Sequence, residues 1–256
     1  MIQQLFGIHE NQSALIVGHG PSLTPFLSQL PELKKKHIIF DTNEWYDFHS
    51  IYPHYWCLAN NTVNLVNHKD RINNTESTII YANTVDLTDK KWIPENIKRP
   101  VYSYDQRHFQ GMNCEQLMNS HLKDRGGFDP SGRCCKNITE TMTIQEWLMY
   151  ETGNSEFYST GHTVAVHMVS LAILMRCNPI YIVGVDVDYR LGYAKNKVNV
   201  TLPQHDIDYY TNCCNKTIVE DLGIINESAK LLNIRLVNLN LNSYFDNITL
   251  GTIEGE

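Results

Sequence analysis

Val17-Gly18-His19-Gly20-Pro21-Ser22-Leu23 connects a short apolar run, Ala14–Val17, to a stretch with the character of a helix. Glycine allows the backbone to turn tightly here, and the free N–H groups at the start of the following helix carry the positive end of its dipole. In an open α/β sheet, a glycine-containing turn between a strand and a helix is a nucleotide-binding position. The stretch therefore predicts a Rossmann-like fold with an anionic ligand at this turn.

Short apolar runs alternate with helical patterns along the rest of the chain, which is typical of βαβ units and of a mostly parallel sheet flanked by helices. The predicted strands are Ala14–Val17, His37–Phe40, Tyr55–Ala59, Thr78–Ala82, Pro179–Val183 and Arg235–Leu239. Two long helices are predicted at about His162–Arg176 and Thr217–Leu232. The first helix is expected to begin with Thr24 as its N-cap and Pro25 at its first helical position.

Two segments, Gln106–Thr139 and Arg190–Cys214, lack periodicity and interrupt this alternation. The second of them is rich in Tyr, His and Asp. Long loops in a compact domain are commonly lids or binding loops, so we expect a lid-like irregular segment over residues 187–216. No repeat or linker divides the chain, and residues 1–256 are expected to form a single α/β domain.

The composition disfavours several classes of protein. The chain has 256 residues, of which 42% are hydrophobic and 19% are charged, as in a globular protein. A net charge of −7 disfavours a nucleic-acid-binding protein, which needs a basic face to neutralise phosphates. No stretch approaches the roughly 20 apolar residues of a membrane span, and the amino terminus does not have the pattern of a signal peptide. We expect a soluble protein of the cytoplasm.

The seven cysteines are odd in number and form no CxxC pair, which disfavours a disulfide or zinc framework and suits a reducing compartment. The adjacent pairs Cys134-Cys135 and Cys213-Cys214 lack the usual spacing of zinc ligands. We therefore expect no zinc site.

A dinucleotide-binding site is the first alternative, because Asp41 lies at the end of the second predicted strand, where a ribose-binding acid is expected. However, Leu23 occupies the position of the third glycine in that fingerprint, and Pro21 removes an amide from the turn. The sequence therefore disfavours an NAD- or FAD-dependent oxidoreductase.

The glycine loop 18–23 is similar to the Gly-Asn-Gly-Pro-Ser-Leu loop of the bacterial lipo-oligosaccharide sialyltransferases, which use CMP-activated nonulosonic acids. His19 takes the place of the family's asparagine. Further short matches follow in the family's order and span about residues 14–245. These matches are Asn43 within 41–46, Asn60 within 58–61, Thr160-Gly161 before the long helix, Asp186 within 182–186, Tyr189, Tyr193, His205 and Asn242-Ser243.

The resemblance implies an inverting glycosyltransferase that transfers a nonulosonic acid, such as sialic acid, from a CMP-sugar to an acceptor hydroxyl. It places the general base at His205, although Asp206 follows where the family has tyrosine, and it places Tyr189 and Tyr193 at the donor phosphate. Imidazole is available as a neutral base near pH 7, and tyrosine hydroxyls can stabilise a departing phosphate. The implied donor contacts are Gly18, His19, Gly20, Pro21, Ser22, Asn43, Asn60, Thr160, Gly161, Asp186, Asn242 and Ser243.

This reaction requires no cofactor besides the donor substrate. Asp186-Val187-Asp188 has the Asp-x-Asp form that holds a divalent metal in many glycosyltransferases. The resemblance instead implies a structural strand-end acid at Asp186, so a metal is not expected to be essential. The implied partners are a CMP-activated sugar and a glycan or glycoconjugate acceptor. Peripheral association with the cytoplasmic face of the membrane would come through that acceptor, and a homo-oligomer is compatible with the sequence.

The glycine loop and the Gly184-Val185-Asp186 strand end also resemble two related groups: the flagellin-modifying motility-associated transferases and the archaeal hydroxymethylpterin diphosphokinase-like proteins. The former keep a CMP-nonulosonate donor, whereas the latter use ATP and Mg²⁺. A non-catalytic nucleotide-binding module is a further alternative, because a fold does not establish an activity. The trio Tyr189, Tyr193 and His205 favours transfer.

Overall fold

The computed structural model describes residues 2–58, 68–83, 98–106, 158–159, 163–187, 192–194, 204, 215–240 and 248–253. Its strands are β1 Ala14–Val17, β2 Ile38–Thr42, β3 Tyr55–Leu58, β4 Thr78–Asn83, β5 Val101–Gln106, β6 Tyr158–Ser159, β7 Ile180–Val183, β8 Leu236–Asn238 and β9 Thr249–Leu250. They form one sheet of parallel strands in the order β6-β5-β4-β3-β2-β1-β7-β8-β9. The predicted α/β, Rossmann-like fold is confirmed.

Four α-helices accompany this sheet within the described residues. They are α1 Leu30–Lys36, α2 Lys69–Asn73, α3 Val164–Leu174 and α4 Asn215–Leu231. Short 3₁₀ helices occur at Ile2–Leu5, Pro21–Phe26 and Trp45–Asp47. All six predicted strands and both predicted long helices are present, with their ends shifted by at most two residues, whereas β5, β6 and β9 were not predicted.

The predicted start of the first helix at Thr24 and Pro25 is wrong. A 3₁₀ helix begins earlier, at Pro21, because Gly20 is extended, with φ −73° and ψ 167°, and proline at the first position supplies a φ already suited to a helix. Thr24 and Pro25 both lie inside this short helix. The first α-helix, α1, begins only at Leu30.

The order of the strands places a topological switch point between β1 and β7. From β1 the sheet grows through β2 to β6 on one side, and the chain then returns to add β7, β8 and β9 on the other side. Val17 pairs with Val183, so β1 and β7 end at the same level. In open α/β sheets the crevice beyond the carboxyl ends of two such strands is where ligands bind.

Helix α3 is the central packing element of the fold. It is buried from Ala165 to Leu174, including the polar residues His167 and Ser170, and it contacts β1, β2, β3 and α4. The His167 Nδ1 is hydrogen-bonded to the Tyr104 hydroxyl at 2.5 Å, which satisfies that nitrogen within the core. Because α3 lies against three strands, its amino terminus is fixed relative to their carboxyl ends.

Among the helices of the described residues, none combines the length and the apolar character that crossing a bilayer requires.

The importance of α3 can be tested by truncating Leu171, whose side chain is fully buried. Leu171→Ala should lower the free energy of unfolding by about 2–5 kcal/mol, because it removes apolar contacts and leaves a cavity. Leu231→Ala in α4 is the matched control, since that leucine is 65% exposed and its truncation should change stability by less than about 0.5 kcal/mol. Urea unfolding measures both, and equal losses would contradict the central position of α3.

Candidate functional site

The ends of β1 and β7 meet backbone to backbone at Gly18 and Gly184. The Gly18 N–H donates to the Val183 carbonyl and the Gly20 N–H donates to the Gly184 carbonyl, both at 2.8 Å. A Cβ added to Gly18 would lie 2.4 Å from the Gly184 oxygen, and one added to Gly184, which has φ +71°, would lie 2.1 Å from the Gly18 oxygen. Neither position can hold a side chain unless the backbone moves.

The carboxylate of Asp186 joins the loops that follow β1, β7 and β8. It accepts from the Ser22 N–H at 3.2 and 3.3 Å and from the Ser22 hydroxyl at 3.1 Å. The side-chain amide of Asn240 donates to it at 2.7 Å, and the Ser22 hydroxyl oxygen accepts from the Gly184 N–H at 2.9 Å. A Cβ on Gly20 would lie 1.9 Å from the Asp186 carboxylate, so glycine is needed there as well.

Burial raises the pKa of the Asp186 carboxyl above its ordinary value, and the hydrogen bonds from Ser22 and Asn240 offset part of this effect. Both carboxylate oxygens already have donors within the protein. Asp186 is therefore a structural link between three loops, and its predicted contact with the ligand stays a prediction. Asp188, the other acid of the Asp-x-Asp pattern, lies outside the described residues.

A second carboxylate, that of Asp41 at the end of β2, lies between two imidazole rings. Its two oxygens are each 2.8 Å from an Nε2 atom, one from His19 and the other from His49. A carboxylate can only accept, so both Nε2 atoms carry hydrogen. The Thr42 N–H also donates to this carboxylate, at 2.7 Å.

Asp41 is fully buried, and burial alone would raise the pKa of its carboxyl. The charge and the hydrogen bond of His19, together with those of His49, outweigh burial and hold this pKa below its ordinary range. With both oxygens engaged, Asp41 is not available as the ribose-binding acid of a dinucleotide site. This observation further disfavours the oxidoreductase alternative.

Both imidazole rings are also held by aromatic neighbours. His19 stacks on Phe48 with ring centroids 4.1 Å apart, and His49 stacks on Trp45 at 5.6 Å. The side chains of His19 and His49 are 9% and 5% exposed. Ring packing and the shared carboxylate therefore fix the orientation of His19.

A cavity of about 210 Å³ lies beyond the carboxyl ends of β1, β2 and β7, at the switch point. Its described lining comes from the glycine loop, the ends of β2 and β7, the start of α3, the segment 192–193 and α4. The lining residues are Gly18, His19, Gly20, Thr42, Asn43, Thr163, Val164, Ala165, Met168, Gly184, Val185, Asp186, Val187, Gly192, Tyr193 and Ile218. None of these described lining residues is a lysine or an arginine.

Two hydrogen-bond acceptors of the lining are buried and have no partner among the described residues. They are the Thr42 hydroxyl oxygen and the Asn43 side-chain carbonyl oxygen. The backbone of Asn43 has φ +38° and is held by bonds to the Cys57 carbonyl at 3.2 Å and from the Trp56 indole at 2.9 Å. A buried polar atom without a partner is unfavourable, so these two atoms suit donors from a ligand.

The amino terminus of α3 lies at the same cavity. Thr163 is the N-cap and accepts from the Ala165 N–H at 3.5 Å, and Thr163, Val164 and Ala165 line the cavity. The N-terminus of an α-helix favours negative charge because its first N–H groups lack intrahelical partners. The cavity can thus receive an anionic group without a basic side chain.

Val187 lines the cavity in a strained conformation. Its φ is +57°, which a β-branched residue rarely adopts, and such strain costs about 1–3 kcal/mol. Strained residues of this kind cluster at functional sites, and this one directly follows the Asp186 link.

The structure brings six of the predicted site residues to the cavity: Gly18, His19, Gly20, Asn43, Asp186 and Tyr193. Pro21 and Ser22 lie in the adjoining 3₁₀ helix, where Ser22 binds Asp186. Almost all of the predicted lid, residues 187–216, lies outside the described residues. So do the remaining predicted site residues, which are Asn60, Thr160, Gly161, Tyr189, His205, Asn242 and Ser243.

Sequence reasoning missed Thr42, Thr163 and the His49 partner of Asp41. Thr42 and Thr163 could have been noticed, since one ends a predicted strand beside Asn43 and the other begins a predicted helix. No local pattern connects His49 to Asp41. Among the described residues, no group of three or more His, Cys, Asp or Glu side chains is placed to hold a metal ion.

Residues 1–192 match the sequence model of the family described as 6-hydroxymethylpterin diphosphokinase MptE-like. The chain belongs to this family. It is a family that also includes motility-associated glycosyltransferases. The matched part contains β1 to β7, the glycine loop, and Asp41 with its two histidine partners. Asn240, which donates a hydrogen bond to Asp186, lies beyond the matched part. No curated protein sequence matches the chain.

The chain is also similar to solved sialyltransferases of Campylobacter jejuni, a class of protein that the short sequence motifs had indicated. The CstII sialyltransferase in complex with CMP-3FNeuAc is 15% identical, with 94% of this chain and 86% of that chain covered and a TM-score of 0.45. CstII with cytidine-5'-monophosphate is 15% identical, with 95% and 86% covered and a TM-score of 0.47. The apo α-2,3-sialyltransferase is 14% identical, with 94% and 80% covered and a TM-score of 0.46. At this identity the likeness concerns the fold.

The backbone contact between β1 and β7 can be tested by comparing two glycines with the same φ. Gly184→Ala and Gly192→Ala both place a side chain at a φ near +70°, but a Cβ at Gly192 meets no atom of a described residue within 4 Å. Each should lose about 1–2 kcal/mol for the left-handed backbone, and Gly184→Ala should lose a further 1–3 kcal/mol or so for the clash with Gly18. Thermal and urea unfolding measure the difference, and equal stability of the two variants would rule out the close contact.

Proposed function

We propose that this chain is a glycosyltransferase that binds a CMP-sugar in the switch-point cavity and transfers a nonulosonic acid, such as sialic acid, to an acceptor hydroxyl with inversion. The observation that carries the proposal is the combination of a helix N-terminus with two buried, unpartnered acceptors, Thr42 Oγ1 and Asn43 Oδ1, in one cavity. The helix N-terminus suits a phosphate, and the two acceptors suit the hydroxyl and amino groups of a nucleoside.

The two acceptors favour nucleoside binding because they have no hydrogen-bond donor among the described residues when the ligand is absent. A buried acceptor without a donor costs about 1–3 kcal/mol, and a nucleoside that donates to it removes that cost on binding. The nucleoside would therefore lie toward β2, where Thr42 and Asn43 end the strand, and the phosphate would lie toward α3. The proposed donor contacts Asn60, Thr160, Gly161, Asn242 and Ser243 would complete this site.

A CMP-sugar carries a single phosphate, whose charge the positive end of the α3 dipole would favour. We therefore propose that a divalent metal is not essential. The acceptor would be a glycan or glycoconjugate, and its attachment to a membrane would bring the enzyme to the cytoplasmic face.

The proposed chemistry uses His205 as the general base and Tyr189 and Tyr193 at the phosphate. The acceptor oxygen attacks the anomeric carbon from the side opposite the phosphate, and its proton passes to His205. The bond between the anomeric carbon and the phosphate oxygen breaks, and its electron pair leaves with CMP. Tyrosine hydroxyls that donate to this phosphate would stabilise its departure.

An ATP-dependent hydroxymethylpterin diphosphokinase is the second candidate, and the family match over residues 1–192 favours it. That reaction transfers a diphosphate from a triphosphate nucleotide, so it would place three phosphates and Mg²⁺ in the same cavity. A nucleotide-binding module without activity would use the same contacts and no base.

Removing the Thr42 hydroxyl tests whether the unpartnered acceptors bind the nucleoside. The Thr42→Val variant should be as stable as the parent or more stable without ligand, because it deletes a buried hydroxyl oxygen that has no donor among the described residues. Its affinity for CMP should fall roughly 5- to 10-fold, as expected for one lost hydrogen bond of about 1–1.5 kcal/mol. Calorimetric titration and urea unfolding measure the two quantities.

Thr78→Val on β4 is the control, since this threonine lies on a strand outside the cavity and should leave the affinity for CMP unchanged. In the parent, CMP at a hundredfold excess over its Kd should raise the free energy of unfolding by about 2.7 kcal/mol, or the melting temperature by roughly 5–10 °C. A larger shift with ATP and Mg²⁺ than with CMP would favour the diphosphokinase, and a larger shift with NAD would contradict both candidates.

Replacing His205 tests the proposed base. The His205→Ala variant should bind CMP like the parent but transfer sugar roughly 10²- to 10⁴-fold more slowly, because a general base acts in the transition state and not in ground-state binding. Single-turnover transfer from CMP-sialic acid to a confirmed acceptor measures this rate. Tyr189→Phe and Tyr193→Phe should lose smaller factors, and turnover near the parental value in His205→Ala would mean that another group takes the proton.

A further inference from the structure

The two imidazoles that share the Asp41 carboxylate differ at their second nitrogen. His49 Nδ1 accepts a hydrogen bond from the Ile51 N–H at 3.3 Å, so that ring has a donor at one nitrogen and an acceptor at the other. His19 Nδ1 forms no hydrogen bond with any described residue, and the ring of His19 lines the cavity. Of the two rings, only that of His19 has a nitrogen left for a ligand.

The surroundings of His19 place a buried carboxylate at one of its two nitrogens. Asp41 is a buried carboxylate, and a buried negative charge is costly unless a cation pairs with it. His49 gives its Nδ1 to the Ile51 N–H and is therefore neutral, which leaves His19 as the ring that can carry the compensating proton. Among the described residues, the other titratable groups that line the cavity are Asp186 and Tyr193, and neither is a cation.

We propose that His19 binds the phosphate of the nucleotide as an imidazolium, with Nδ1–H donating to a phosphate oxygen while Nε2–H remains on Asp41. The ring would supply a positive charge in a lining whose described residues include no lysine or arginine. Asp41, Phe48 and the flanking glycines fix the position of the ring, so the hydrogen bond forms without ordering a side chain. This role of His19 depends on the proposed glycosyltransferase function only because CMP is used as the probe.

Two substitutions at His19 each preserve the hydrogen-bonding group of one ring nitrogen and remove the other. In His19→Gln the side-chain amide can still reach Asp41 in the manner of Nε2, but nothing replaces Nδ1. In His19→Asn the shorter amide stands in for Nδ1 and loses the bond to Asp41. His49→Gln is the matched control, because it alters the same carboxylate pair at a ring that does not line the cavity.

The experiment compares the affinities of cytidine and CMP for the parent and these three variants by calorimetric titration at pH 7. In His19→Gln, CMP affinity should fall roughly 10- to 100-fold, as expected for a hydrogen bond to a charged group, while cytidine affinity should change less than about twofold. His19→Asn should retain an intermediate preference for CMP over cytidine, and His49→Gln should retain the parental ratio. An equal loss for cytidine and CMP in His19→Gln, or no loss for either, would overturn the proposal.

If the chain is not a CMP-sugar glycosyltransferase, the titrations of the parent give a different pattern. If the parent binds ATP in preference to CMP, the glycosyltransferase assignment fails, and the same comparison between adenosine and ATP then decides the role of His19. If the parent binds none of these compounds, both proposals fail.

A measurement on the unsubstituted protein keeps the proposal testable if His19→Gln does not fold. The ¹⁵N resonance of His19 Nδ1, assigned by its loss in His19→Asn, should lie at the position of a protonated nitrogen in the CMP complex at pH 7. A resonance at the position of an unprotonated nitrogen in that complex would refute the phosphate contact.

Discussion

The carboxylate of Asp186 is the point at which three parts of the chain are joined. Its bonds to Ser22 and Asn240 connect the loops after β1, β7 and β8, and the Ser22 hydroxyl extends the connection to the Gly184 N–H. A parallel sheet brings the carboxyl ends of its strands to one edge, but it does not fix the loops beyond them. The cavity has a defined shape because this carboxylate holds its glycine loop against the end of β7.

The same edge of the sheet carries a second buried carboxylate, Asp41, whose pKa is shifted in the opposite direction. Burial acts on both acids and disfavours their charged forms. Asp186 receives hydrogen bonds from neutral groups, which do not fully offset burial, whereas Asp41 accepts from two imidazole N–H groups, of which that of His19 belongs to a ring that can carry positive charge. The two acids therefore differ in role: Asp186 joins loops, and Asp41 holds the ring of His19 beside the cavity.

The sequence indicated the fold through its most regular parts. Strands β1 and β7 and helix α3 are almost wholly apolar, so their continuous apolar runs were sufficient to predict them. Strand β5, Val-Tyr-Ser-Tyr-Asp-Gln, alternates apolar or aromatic with polar residues and has no apolar run, and β9 comprises only two residues, both exposed. These strands exist because a neighbouring strand offers hydrogen bonds, which no local pattern encodes.

The candidate site was predictable to a similar extent. The glycine loop, Asn43, Asp186 and Tyr193 were found from short motifs, and the structure brings them to one cavity. The partners of these residues were not found, because Asp41 meets His19 and His49 only after β1 and β2 pair and the 3₁₀ helix Trp45–Asp47 turns the chain back. A motif identifies residues that approach a ligand, whereas the groups that set their charge depend on the folded chain.

The arrangement of Gly18, His19 and Gly20 determines where this loop can vary in evolution. Gly18 is fixed by the backbone of Gly184, and Gly20 is fixed by the Asp186 carboxylate, so a side chain at either position would separate strands or break a buried bond. The residue between them projects its side chain at the cavity and meets neither constraint. One substitution at position 19 that keeps a hydrogen-bond donor toward Asp41 can therefore change the chemistry of this loop while the surrounding framework is preserved.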